Sequence, residues 1–153
     1  MQWDADGIQL ETSLGYALKE ASSALRAAME DALRPLGMTV THYACLELLA
    51  QRPGLSNSEL ARGAFVTRQT MNVLLQALER DGAVTRPREA PVGRVLPVRL
   101  TPRGRRALAS ASAAVRAVET RMLAGLTNAE QDDALRMLRR LSRALDAPEP
   151  STI

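Results

Sequence analysis

The 153-residue chain carries one cysteine and a formal net charge of +3, with no apolar run near the roughly 18 residues of a membrane-spanning helix. Its length fits one domain with a core of its own, and the lone cysteine excludes an internal disulfide. The first residues lack the basic-then-apolar pattern of a signal peptide, so the cytoplasm is the expected compartment.

Hydrophobic residues make up 46% of the chain and aromatics only 3%, so the core is expected to be built from Leu, Ala, Val and Met, which suits helices. Residues 1–7 read as a frayed lead-in. Leu10, Leu14, Ala17, Ala21, Leu25, Ala28 and Ala32 follow at helical spacing and predict one long helix. Its many alanines would let a second backbone come close. Pro35 and Gly37 end it. Thr39 or Thr41 starts the next helix, with Cys45, Leu46, Leu48 and Leu49 inward and Pro53-Gly54 as its stop.

The stretch from Leu55 to Thr101 organises the rest. Ser56 is placed to cap a helix, and Glu59 to reach back to it as a capping box requires. Leu60, Ala61 and Ala64 keep helical spacing, Gly63 to Val66 is a short connection, and Thr67 caps another helix. In that helix Met71, Leu74, Leu75 and Leu78 define one buried face. Gln69, Asn72, Val73 and Gln76 repeat the spacing two residues out of phase, about 200° around the axis, so they point away from the core. Amide side chains so placed can read base edges in a major groove. Arg68, near the helix start, can read guanine or grip phosphate. Asp81-Gly82 stops the helix.

Ala83 to Arg86 then reads as a short strand. Leu96, Val98 and Leu100 alternate with Val95, Pro97 and Arg99 at strand period, and Pro97 puts this second strand at an edge. Between the strands lies a proline-stiffened hairpin, Pro87 to Arg94, with arginines on both arms. Thr101-Pro102 opens a helix with proline at its first position. This helix runs to about Leu126, with Leu108, Ala111, Val115, Val118 and Met122 on one face. Thr127 and Glu130 form a second capping box, and Ala134, Leu138, Leu141 and Leu145 line a last helix. The tail from Ala147 is expected to be loose.

Charge is unevenly placed. From Ser56 to Arg106 ten arginines stand against four carboxylates, a net +6, which leaves −3 for the remainder. The bland reading of such a cluster is a solvated face. Its coincidence with a helix-turn-helix and a hairpin favours nucleic acid. The candidate DNA contacts are Ser56, Thr67, Arg68, Gln69, Thr70, Asn72, Val73, Gln76, Arg80, Arg86, Arg88 and Arg94.

The succession PGLS, ELAR, VTRQTMNVLLQALERDGAV, GR and VRLTPRGRRAL, over about Leu36 to Leu108, resembles the MarR family of winged-helix transcription regulators. L-E-x-x-G at the end of the second helix and L-T-P-x-G after the wing are its more specific parts. The resemblance implies a mainly α fold with a small β-hairpin wing in a single domain, 1–153. A winged helix-turn-helix lobe (38–101) would join a helical dimerisation region (8–34 and 102–146). It further implies a homodimeric repressor on a pseudo-palindromic operator in double-stranded DNA. A small aromatic or phenolic ligand would release it, and Tyr16, His42 and Tyr43 could line the ligand pocket. The stripes of the first and last helices also favour a twofold dimer, against the alternative that they pack only on their own winged helix. One departure is that the family's usual aspartate before the wing arginine is absent: Val92-Gly93 precedes Arg94.

Other readings stay open. Cys45 is either a redox-sensing thiol or a buried, inert one. His42 is either part of a ligand pocket or a hydrogen-bonded structural histidine. The winged helix is either a DNA reader or a protein-interaction module without sequence-specific DNA binding. No G-x-S-x-G, P-loop, G-x-G-x-x-G or H-E-x-x-H pattern occurs. No enzyme activity, metal site or cofactor is therefore expected.

Overall fold

The computed structural model describes residues 7–86 and 98–147. Among them, helix α1 spans Leu14–Leu33, α2 Val40–Gln51, α3 Asn57–Gly63 and α4 Arg68–Arg80. Strands β1 (Val84–Thr85) and β2 (Arg99–Leu100) follow, then α5 (Pro102–Leu123) and α6 (Asn128–Asp146). The strands pair antiparallel, with Val84 opposite Leu100 and Thr85 opposite Arg99. The expected hairpin Pro87 to Arg94 and the strand residues Val95 to Pro97 lie outside the described residues.

Capping by short polar side chains sets most helix starts. Thr39, Ser56, Thr67 and Thr127 each accept a hydrogen bond from the backbone N–H three residues on. Such a bond satisfies one of the donors that a helix start leaves orphaned. Three expectations change. Leu10 does not join the first helix but lies in a separate 3-10 turn, Leu10–Thr12. The break comes at Ser13, whose extended backbone and side-chain bond from the Tyr16 N–H make it a cap. The box at Ser56 is only half formed, because Glu59 meets the Ser56 hydroxyl (3.1 Å) rather than its backbone N–H. Helix α5 ends at Leu123, short of Leu126, whose N–H turns back to the Leu123 carbonyl just before the Thr127 cap.

The chain divides into two compact units between Val118 and Glu119, within α5. The first unit is built on one apolar core. It joins Cys45, Leu46 and Leu49 of α2, Leu60 and Ala61 of α3, and Met71, Leu74, Leu75 and Leu78 of α4. Ala83, Val84, Val98 and Leu108 complete it. Burying each large side chain of α4 contributes roughly 1.5–3 kcal/mol, enough to fix how this helix is rotated. In the second unit no residue of α6 is buried, and Leu135, Met137, Leu138, Leu141 and Leu145 are exposed.

The L-T-P-x-G stretch has a structural purpose. Thr101 caps α5 by accepting from the Gly104 N–H (3.0 Å), and its hydroxyl donates to the Gly82 carbonyl (2.5 Å). The Thr101 N–H donates to the Ala83 carbonyl at 3.0 Å. Helix α5 is thereby fastened to the turn that ends α4. The approach is so close that a Cβ on Gly104 would lie 2.1 Å from the Ala83 carbonyl oxygen.

Candidate DNA-binding surface

The two-helix element is held by a matched pair of helix ends. At the end of α4, the Gly82 N–H bonds to the Glu79 carbonyl and the Ala83 N–H to that of Leu78. This is a Schellman turn, with Gly82 at φ 75° in its left-handed position. At the end of α3 the same pair runs from Phe65 to Arg62 and from Val66 to Ala61. Here the left-handed residue is Phe65, at φ 59° and 95% exposed. The chain leaves this turn with Val66 packed against the core and enters α4 at the Thr67 cap.

Helix α4 shows the two faces expected of it. Met71, Leu74, Leu75 and Leu78 are buried, while Gln69, Thr70, Asn72, Val73 and Gln76 are exposed. Val73 is 61% exposed, a large apolar group left in solvent beside the amides. Arg68 and Arg80 stand exposed at the two ends of the helix. Thr67 and Thr70 bond through their hydroxyls at 3.0 Å. Ser56 is half-buried and spends its hydroxyl on the α3 cap.

Two positions differ from a simple row of free contacts. Arg86, just past β1, turns toward Glu79 (3.7 Å), and its side chain is 28% exposed. Among the described residues its Nε and Nη2 have no hydrogen-bond partner. Asn72 is engaged as well: its Oδ1 accepts from the Asn57 Nδ2 at 3.3 Å. Asn57, on α3, escaped the sequence reading because its partner lies fifteen residues along the chain. Arg88 and Arg94 lie outside the described residues.

The residues proposed for a ligand separate in character. His42, the third residue of α2, closes the capping box: its N–H donates to the Thr39 hydroxyl and its Nδ1 accepts from the Thr39 N–H. Burial lowers its pKa below the ordinary 6.5, with Asp81 pulling the other way. Tyr43 packs against the core, and Tyr16 is exposed on α1. A separate groove is lined, among the described residues, by Leu49, Ala50, Pro53, Gly54, Val98, Arg99, Leu100 and Arg105. None of the three expected ligand residues lines it.

Cys45 has no exposed surface, and its Sγ lies 3.7 Å from the Met71 Sδ. Burial pushes the thiol up to about 11, with Arg86 opposing. A thiol so placed is a poor nucleophile at neutral pH. Among the described residues no group of three or more His, Cys, Asp or Glu could hold a metal ion, and no helix is long and apolar enough to cross a membrane.

A model of the MarR family matches residues 36–94. The chain is 47% identical over 135 residues to the HTH-type transcriptional repressor Rv2887 of Mycobacterium tuberculosis, covering 88% of this chain and 97% of that protein. The crystal structure of Rv2887 with salicylic acid superposes with a TM-score of 0.71 at 47% identity, covering 90% of this chain and 98% of that one. Its complex with DNA also gives 0.71, at 46% identity over 85% of this chain and 98% of that one.

Proposed function

The chain belongs to the MarR family of winged-helix transcription regulators, and from that premise we propose that it is a homodimeric repressor released from double-stranded DNA by a small aromatic ligand. The observation that carries this reading is the outer face of α4. There Gln69, Asn72, Val73 and Gln76 stand in solvent over a fully packed inner face, between the exposed Arg68 and Arg80. An uncharged, hydrogen-bonding face with cations at both ends suits a major groove flanked by phosphates. In a twofold dimer the two α4 helices would enter successive major grooves, about one helical turn apart. The exposed apolar residues of α1 and α6, Leu14, Leu18, Leu138 and Leu141 among them, supply faces for such a dimer to cover. Arg88 and Arg94 are proposed from sequence as backbone or minor-groove contacts.

One relative, Rv2887, crystallised both with DNA and with salicylic acid, supports both halves of the reading. A ligand that prefers the DNA-incompetent form shifts the population toward it and lowers affinity. The test is fluorescence anisotropy with duplexes from the DNA upstream of the chain's own gene, at several salt concentrations, with and without salicylate. Site-preferring binding that weakens with salt and with salicylate is expected. Equal affinity for the upstream and scrambled duplexes would favour an interaction module instead. Site-preferring binding unmoved by salicylate or its analogues would leave a regulator without this ligand class.

A further inference from the structure

We propose that Asn57, which lies on α3 and not on the helix that enters the groove, determines which base Asn72 reads. The inference rests on the reading of α4 as a major-groove helix. Asn57 is the first residue of α3, directly after the Ser56 cap. Its Nδ2 donates to the Oδ1 of Asn72 at 3.3 Å. Gln69 and Gln76, on the same face of α4, have no such partner among the described residues, so Asn72 is the amide whose orientation is set before DNA arrives.

The direction of this bond follows from what surrounds Asn57. Its own Oδ1 is buried and, among the described residues, has no hydrogen-bond partner. Reversing both amides would bury an NH2 with two unmet donors in place of one carbonyl. Under-satisfied carbonyls are tolerated better than orphaned N–H groups. Asn57 therefore acts as the donor, Asn72 as the acceptor.

That polarity decides what Asn72 can offer. Reading adenine requires an asparagine to accept from N6 with Oδ1 while donating to N7 with Nδ2. With Oδ1 committed to Asn57, the Nδ2 end is the one left for a base. A donor there suits an acceptor edge, guanine O6 and N7 or thymine O4; adenine N7 also accepts, but the N6 donor beside it is then left without a partner. An aspartate at position 57 would reverse the arrangement. Ionised, it only accepts, so it would draw the Asn72 NH2 toward itself. Oδ1 would then face the base and favour the amino groups of adenine or cytosine. An acidic residue is also well tolerated in the first turn of a helix.

The experiment is selection from a pool of duplexes with a randomised central segment, using the full chain as wild type, Asn72→Ala, Asn57→Ala and Asn57→Asp, with circular dichroism to confirm folding. Asn72→Ala should lose base preference at one position of each half-site. Asn57→Ala should lose several-fold enrichment of guanine or thymine at that same position and keep the others. Asn57→Asp should shift that position to adenine or cytosine, even if its charge weakens binding throughout; should it select nothing, the Asn57→Ala profile decides. If Asn72→Ala loses the position while both Asn57 variants select the wild-type site, the inference is overturned and the reading of α4 stands. A uniform loss at every position in Asn57→Ala would also overturn it, since that is what a purely structural residue produces. If Asn72→Ala itself selects an unchanged site, Asn72 does not read a base and the inference falls with that reading.

Discussion

Phe65 stands where most helices of this kind place glycine. A left-handed backbone costs an L-residue roughly 1–2 kcal/mol, and a side chain 95% exposed has little packing to offset it. Phe65→Gly is therefore expected to stabilise the fold by about 1 kcal/mol, less what the freer unfolded chain takes back. Denaturant unfolding of the two proteins checks it, and a clear loss of stability would show that the ring makes contacts the fold needs. His42 makes a different prediction. Its Nδ1 must be unprotonated to accept from the Thr39 N–H, and its folded pKa lies below 6.5. Between those two values the unfolded chain binds more protons, so stability is full above 6.5 and declines as the pH falls below it. His42→Gln keeps an acceptor in the capping box and cannot titrate. Its denaturation midpoint should fall less than that of wild type between about pH 7 and pH 5.5; equal slopes would remove His42 from the account.

Among the elements, the start of α5 is the most demanding. Gly104 is buried, and an added Cβ would meet the Ala83 carbonyl, a backbone atom that cannot swing aside. Either α5 moves off the turn that ends α4, or the bonds from Thr101 to Gly82 and Ala83 break. Gly104→Ala is expected to cost at least about 2–3 kcal/mol, the scale of overpacking plus lost hydrogen bonds. Gly125→Ala, in open space on the connection between α5 and α6, serves as the control. Equal melting temperatures for the two variants would mean that the close approach is not tight. Because Gly82 belongs both to the stop of α4 and to the fastening of α5, strain at Gly104 should also disturb how α4 is presented.

At the scale of the whole molecule, α1 and α6 each leave several large apolar side chains in solvent. Leu14 is 78% exposed and Leu145 88%, and α6 buries no residue of its own. Exposed stripes of this kind mark interaction surfaces, here for a second copy of the chain. Truncation after Leu126, which removes α6, is expected to give a monomeric or aggregating protein without specific DNA binding. Sedimentation showing a soluble, folded dimer after that deletion would rule out α6 as part of the interface.

What the sequence determined by itself was whatever depends on neighbours three or four residues apart. The caps at Ser56, Thr67 and Thr127 and the two faces of α4 are of this kind, because a helix brings those positions together whatever the rest of the chain does; between Thr39 and Thr41 the structure selects Thr39. The resemblance to a family rested on the same local stretches. What only the tertiary structure decided are meetings of residues far apart in sequence. Periodicity showed that Asn72 faces outward, but not that Asn57 holds it. Only the fold sets Glu79 beside Arg86, a candidate DNA contact, and only the fold encloses Cys45. His42 shows the boundary within one residue. Its hydrogen bond in the cap is local, whereas its lowered pKa is not, since burial and Asp81 come from how the lobe packs. The left-handed turn at Phe65 was hidden for a related reason. No glycine marks it, and the packing of α3 against α4 holds an L-residue where local preference alone would not.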